Sequence, residues 1–484
     1  MNLLETFESL LLSWRSVFPQ QRSFERARRL TFGLLICLRS HLTTNAICAL
    51  GRQFQDWSAD YRLLSRSPWN PHRLFDAVID GLSPLLAPNL APILTALDDT
   101  VFKKTGRKIP GVSTFRDPLS RSFHINLIRG LRFLQAGVLL PFSTGDGPAR
   151  CLPIRLEPAP VPPKPKKKDS EELWKEYRRK QKIQCLSQVG VRVLASLRQA
   201  FDSRPATALR QLIALVDGSY TNHTVLTQLP QRTTLIGRIR KDAKLFFPLA
   251  AQSTSKSKGR PRRYGLPAPT PQQVLRDDSF PVYILPCFIA GKTRKIKVKT
   301  IPIVFWRKGG CSLPLRLVVI KPLGYKLAKD SKLLYRDPAF LICTDPNLSL
   351  QTVVQSYVYR WEIECNHRDE KQFIGVAQGQ VRSKLAVDRL PQFQVAAYSL
   401  LMLSSLLTYG FSRTDHFLPL PKWRRKSIRP SILDILNLLR AQLFARASGS
   451  NSKLTFDDFA STPPEDTNSS KLTITSDSLS TLAA

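Results

Sequence analysis

The amino-acid sequence predicts an α/β fold with helical N-terminal and C-terminal segments. Apolar residues recur at three- and four-residue spacing near the start, short apolar runs bounded by Gly, Pro and Asp fill the middle, and long helical patterns return after residue 348. The same chain carries 73 Lys+Arg against 36 Asp+Glu over 484 residues, a formal charge of +37. That excess attracts polyanions, which excludes an ordinary metabolic enzyme as the default, while 43% hydrophobic residues excludes a disordered polycation.

Leu3, Leu4, Phe7, Leu10, Leu11, Trp14 and Phe18 mark the first amphipathic helix, and helical pattern continues to about residue 86. This segment, 1–90, is expected as a helical DNA-binding domain. Its cluster of Arg22, Arg26, Arg28 and Arg29 is either a phosphate contact or a solvated face. Residues 91–249 hold the strand-like runs ILTALDD, SFHINLI and LRFLQAGVLLPF, a Pro-Lys connector at 158–168, a charged helix from Glu171 to about Phe201, and the strands LRQLIALVDGSY and TTLIGRI. Residues 250–345 read as a basic, β-rich insertion; between 231 and 310 there are 18 Lys/Arg and 3 acidic residues. One long helix is expected from Leu348 to Ile374 and an apolar helix over 391–408, both within 346–410. A helical C-terminal segment, 411–446, precedes a Ser/Thr-rich tail, 447–484, with 5 acidic and 2 basic residues, expected to be disordered.

No metal spacing is visible among the eight cysteines and six histidines, so the cysteines read as buried thiols and a zinc site is not expected. The longest nearly apolar stretch, Val395 to Leu407, falls short of a membrane span, and Glu5 and Glu8 stand where a signal peptide carries Lys or Arg. The expectation is a cytoplasmic, nucleoid-associated protein that meets no membrane.

Acidic residues close two of the strand-like runs, at Asp98-Asp99-Thr100 and at Val216-Asp217-Gly218, where carboxylates can converge at a sheet edge. A third acid comes from the helix. Tyr357, Arg360, Glu364 and Lys371 project at roughly 0°, −60°, −20° and −40° around an α-helix, one narrow face, whereas Glu362 points roughly 160° and Glu370 about 120° away from Glu364. An ordinary surface face would show the same spacing; the two strand-end aspartates and the basic chain favour chemistry.

These residues resemble the DDE transposases of bacterial insertion sequences, closest to the insertion-sequence-four type with its Y-x2-R-x3-E-x6-K signature. Here the signature reads Tyr357, Arg360, Glu364 and Lys371, and LDDTVFKKTGRK and VDGSYTN resemble the family's two aspartate motifs. The resemblance spans about residues 95–405. It implies a ribonuclease-H-like core in which Asp99, Asp217 and Glu364 hold two Mg²⁺ or Mn²⁺ ions. Asp98 is the alternative first ligand; the motif, with its aspartate directly before a threonine, favours Asp99. The resemblance further implies that Tyr357, Arg360 and Lys371 grip double-stranded DNA at the transposon end, and that cleavage and strand transfer need no side-chain nucleophile.

Within the insertion, Lys256, Lys258, Arg260, Arg262 and Arg263 form a basic stretch that is either a minor-groove contact or a linker. Trp306, flanked by Arg307 and Lys308, is either a core residue or a stacking platform for an unpaired base. A homodimer is expected because two DNA ends are paired, with 429–446 as a candidate contact. The alternatives are a related DNA endonuclease and a catalytically inactive DNA-binding descendant; an intact acidic trio argues against the second.

Overall fold

The computed structural model describes residues 1–86, 90–117, 120, 124, 126–142, 147–249, 263–310, 313–326, 331–425 and 427–447. Arg260, Arg262 and the acidic tail lie outside the described residues. The strands are β1 (Ile93–Lys103), β2 (Ser113–Arg116), β3 (Leu127–Pro141), β4 (Ala149–Pro158), β5 (Leu212–Val216), β6 (Thr233–Arg238), β7 (Leu245–Phe246), β8 (Tyr283–Ile289), β9 (Lys292–Trp306), β10 (Leu315–Ile320), β11 (Leu323–Tyr325), β12 (Leu334–Arg336) and β13 (Ala339–Cys343). The helices are α1 (Leu3–Leu12), α2 (Gln21–Ile36), α3 (Thr43–Ala49), α4 (Ser58–Ser65), α5 (Asp76–Asp80), α6 (Glu171–Gln184), α7 (Leu186–Asp202), α8 (Pro205–Ala208), α9 (His223–Leu226), α10 (Pro271–Arg276), α11 (Leu350–Tyr359), α12 (Trp361–Phe373), α13 (Lys384–Tyr409) and α14 (Ile432–Ala447).

Eleven strands form one mixed sheet. β1, β3 and β4 pair antiparallel, β5 lies parallel beside β1, and β6 lies parallel beside β5. The run RFLQAGVLL in β3 is nearly continuously apolar because β3 is covered on both faces. At the bulge where it passes β4, Gly137 leaves no room for a Cβ, which would collide with Cys151 Sγ. The basic β-rich segment does not form a sheet of its own. β13 pairs antiparallel with β6, and β10, β9 and β8 follow outward, so most of its strands extend the central sheet; only β11 and β12 make a separate two-stranded sheet.

Two hydrophobic clusters hold the layers together. One lies between the sheet and α11–α12 and includes Leu139, Ala96, Ile213, Leu215, Val353 and Ile363. The other takes in the N-terminal helices, the sheet, α7, α13 and α14. Residues 1–90 are therefore helical but have no separate core: Trp14 is fully buried, its indole 5.5 Å from Phe393 of α13, its Nε1 donating to Leu74 O at 2.9 Å. Arg28 of the basic cluster is spent on Glu8 and Glu25, at 3.8 and 3.6 Å.

Several elements differ from the sequence expectation. The apolar helix over 391–408 is α13, 26 residues long; it is long and apolar enough to cross a bilayer, yet 94% of its most apolar window is buried inside the protein. Cys185, in an extended conformation, splits the expected 171–201 helix into α6 and α7. The expected 348–374 helix breaks at Arg360 into α11 and α12. In the segment 429–446, Ile432, Ile435, Leu436, Leu439 and Leu443 of α14 are buried in the chain's own core, which leaves its outer face, with Phe444 exposed, as the part a dimer contact would use. Of the described cysteines, Cys37, Cys151, Cys287 and Cys343 are buried thiols as expected, whereas Cys48 is exposed.

Candidate active site

Strand alternation decides which acid faces which way. Leu94, Ala96 and Asp98 fall on one side of β1, and Ala96 lies opposite Leu215 in the parallel pairing with β5. The ladder ends there, and Asp217 follows the last residue of β5, Val216, close enough to raise both Asp98 and Asp99. On the antiparallel side Asp98 lies opposite Gln135, whose Nε2 donates to Glu370 of α12 at 2.8 Å. Asp98 is thus on the face that α12 crosses. Asp99 points to the opposite face, where it accepts a hydrogen bond from Tyr220 Oη at 3.2 Å. Of the favoured first ligand Asp99 and its alternative Asp98, it is Asp98 that the structure brings to the Arg360 guanidinium shared with Glu364.

The face computed for Tyr357, Arg360 and Glu364 survives the helix break. Arg360 Nη2 lies 2.9 Å from Glu364 Oε1, Nη1 lies 3.9 Å from Asp98 Oδ2, and the guanidinium sits 5.7 Å from the Tyr357 ring centroid. One guanidinium therefore bridges two of the three carboxylates instead of pointing free to solvent. Lys371 lies further along, its Nζ 5.9 Å from the Phe102 ring centroid. Glu362 points away as expected, held by Arg429 at 2.8 Å. Asp217 closes a tight turn in which Ser219 N donates to its Oδ1 at 2.9 Å.

Burial and crowding of like charge govern the titration here. The Asp98 carboxyl is pushed up to about 7, by burial first and then by Asp99, Glu364 and Asp217, with Arg360 opposing. Asp99 is also raised, by burial and by Asp217, against the pull of Arg132 and Tyr220. His367, one turn beyond Glu364, was missed by sequence reasoning although its offset places it near the same face. Its Nδ1 lies 3.9 Å from Asp98 Oδ2, but burial, Lys371 and Arg360 push it down to about 3, so it is a neutral imidazole and not an ion-pair partner.

Behind these groups, burial pushes Glu370 up to about 8. Its Oε2 and Gln135 Oε1 both lack a partner among described atoms, the arrangement that a protonated acid facing an amide would complete. A carboxyl raised on folding contributes stability that is fully present below its unfolded pKa of about 4.5 and is lost as pH rises through about 8. Glu370→Gln is expected to cost under about 1 kcal/mol at pH near 6 and to flatten the fall in stability toward higher pH; denaturant melts across pH check this, and an unaltered slope would rule it out.

A cavity of about 990 Å³ opens beside Gly218, immediately after Asp217. Trp306 lines it together with Arg238, Arg240, Lys241, Lys244 and Lys308. Trp306 is half-buried, packed partly on the core and partly facing this basic space. The arginines and lysines from 238 to 244 were legible only as general basicity, because they are scattered on a strand end and turn. Arg263 is exposed, beside Tyr264, which packs 5.5 Å from Phe246, and it does not contact the carboxylates.

Among the described residues no three His, Cys, Asp or Glu side chains are already gathered at ligand distance. The donor set nonetheless suits hard divalent cations, since oxygen donors of like charge crowd together and Arg360 is the cation that pairs with two of them. No curated protein matches the chain. Residues 15–284, more than half of it, match the family described as DDE superfamily endonuclease; the match includes Asp98, Asp99 and Asp217 and ends before α12.

Proposed function

Because this chain belongs to the DDE superfamily endonucleases, we propose that it is a transposase of the insertion-sequence-four type, cutting DNA at the ends of a mobile element and joining the freed ends to a new site. The observation that carries this reading is the Arg360 guanidinium, 2.9 Å from Glu364 and 3.9 Å from Asp98, with Asp217 just past the end of β5, the strand parallel to β1. The strand pairing, β1, β3 and β4 antiparallel and then β5 and β6 parallel to β1, with Asp98 on β1 and Asp217 just past β5, supports a ribonuclease-H-like core.

In this reading Asp98, Asp217 and Glu364 hold two Mg²⁺ or Mn²⁺ ions, which when bound neutralise charge on the attacking and leaving oxygens. Asp98 and Glu364, paired with Arg360 here, would serve as metal ligands, and the planar fork of Arg360 suits a phosphate of the DNA backbone. Tyr357 keeps the guanidinium in place from the other side, and Lys371 adds a point charge further along the strand. Trp306 offers a ring face to a base displaced toward the basic cavity. Two copies act together, since two ends must be paired.

The test mixes purified protein with a labelled duplex carrying the element's terminus and Mg²⁺, beside Glu364→Gln. Nicking at the 3′ end of the element is expected for the native chain, and binding without nicking for the variant. Equal cleavage by both would falsify the assignment. Joining of the product to a second duplex distinguishes a transposase from an endonuclease that only hydrolyses.

A further inference from the structure

Helix α6 is an oddity that the catalytic site does not use. It is 14 residues long, none of them buried, and a helix of that length is marginal by itself in water. Around its axis Lys175, Arg178, Arg179 and Lys182 fall within about 100° of arc, while Leu173 and Tyr177 lie on the other side and Trp174 at the edge of the arc. The connector before it adds the exposed Lys164, Lys166, Lys167 and Lys168. From 164 to 182 there are nine Lys/Arg and four acidic residues. Of the helix stripe, Lys175 is paired to Glu171 at 3.6 Å, an exposed contact of little worth.

The position of the helix gives the charge a direction. Its C-terminal end is tied down by Arg192 Nη1, which donates to Ile183 O at 2.9 Å. One turn later Ser187 Oγ accepts from Asn222 Nδ2 at 2.8 Å, and Asn222 belongs to the loop that follows Asp217. α6 is therefore joined through α7 to the second aspartate's loop, and its full length, about 21 Å, matches over half a turn of duplex.

We propose that α6 and its lysine connector form an outrigger that lies on the sugar-phosphate backbone of duplex DNA flanking the cut. This rests on the transposase reading for the location of the cut. Complementarity of charge selects the occupant: an exposed cationic stripe beside a site that handles phosphodiesters.

The test is the salt dependence of binding to a labelled duplex of unrelated sequence, so that neither cleavage nor end recognition enters. Each phosphate contact contributes a slope of about 0.9 to log K against log salt. Lys175→Gln, Arg178→Gln, Arg179→Gln and Lys182→Gln combined are expected to reduce that slope by about 2 to 3.6. Glutamine keeps helix propensity, and unchanged circular dichroism verifies the fold; should the quadruple variant misfold, Arg179→Gln with Lys182→Gln is expected to remove about 1.8. Arg178→Lys with Arg179→Lys should leave the slope intact, because only charge is needed. For either neutralising variant, a reduction of about 1 or more supports the proposal and a smaller one overturns it. An unreduced slope together with altered sedimentation would assign α6 to a second copy of the chain and likewise overturn it. If the native chain itself shows no salt-dependent DNA binding, the transposase reading falls as well, so the two failures are told apart.

Discussion

Asp98→Asn is expected to abolish metal-dependent DNA cleavage, by a factor on the order of 10⁴ as for removal of a central catalytic group, while Asp99→Asn leaves it within roughly 10- to 100-fold of native, as for a residue that only supports the ligand set. The two aspartates are neighbours in sequence, yet the strand sends them to opposite faces. Asp98 shares Arg360 with Glu364. Asp99 accepts from Tyr220, a bond that asparagine's oxygen can still receive. Both variants should bind DNA as the native chain does, since neither removes a cation. Single-turnover cleavage with each variant settles the matter: an active Asp98→Asn beside a dead Asp99→Asn would transfer the role to Asp99 and undo the face assignment.

Trp14→Ala is expected to destabilise the whole chain by about 4 kcal/mol in one transition. Trp14 is fully buried and is wedged between the Leu74 carbonyl and Phe393 in the middle of α13. Truncation removes that packing and leaves the Leu74 carbonyl without its donor. Because α13 also packs on β4, the loss should reach the sheet. Hydrogen exchange of the β5 amides, read beside that of α2, tests this. Protection lost in α2 alone, with β5 unchanged, would show that the N-terminal helices fold and melt as a separate domain.

How much of this was legible depends on which signal each feature leaves in the chain. The face of Tyr357, Arg360 and Glu364 was readable because helical phase is set by residue count, and a break of one residue at Arg360, itself in right-handed helical conformation, does not lose that phase. The choice between Asp98 and Asp99 was not. Both faces of β1 near them are apolar, Ala96 on one and Leu97 on the other, so no polar-apolar contrast marks the catalytic side. Adjacency to Thr100 favoured Asp99 as first ligand, whereas the neighbour that faces the helix is Asp98. The basic β-rich segment showed its strands through alternation in RKIKVKTIPIVFW, but pairing of β13 with β6 is a contact between distant residues that local pattern does not encode. For the same reason the N-terminal helices looked like a domain: their apolar stripes were visible, and the partner that fills them, α13, lies more than three hundred residues away.

The fusion of the basic β-rich segment with the central sheet turns the fold into a measuring device. From β1 with its acid to β9 ending at Trp306 the order runs through β5, β6, β13 and β10, and at about 4.8 Å per rung this is roughly 24 Å of hydrogen-bonded ladder. Such a ladder does not stretch. In the proposed reaction a base on Trp306 and a phosphate at the acids would meet the protein at points fixed by this backbone, so where the chain cuts would be gauged by a rigid ruler of its own.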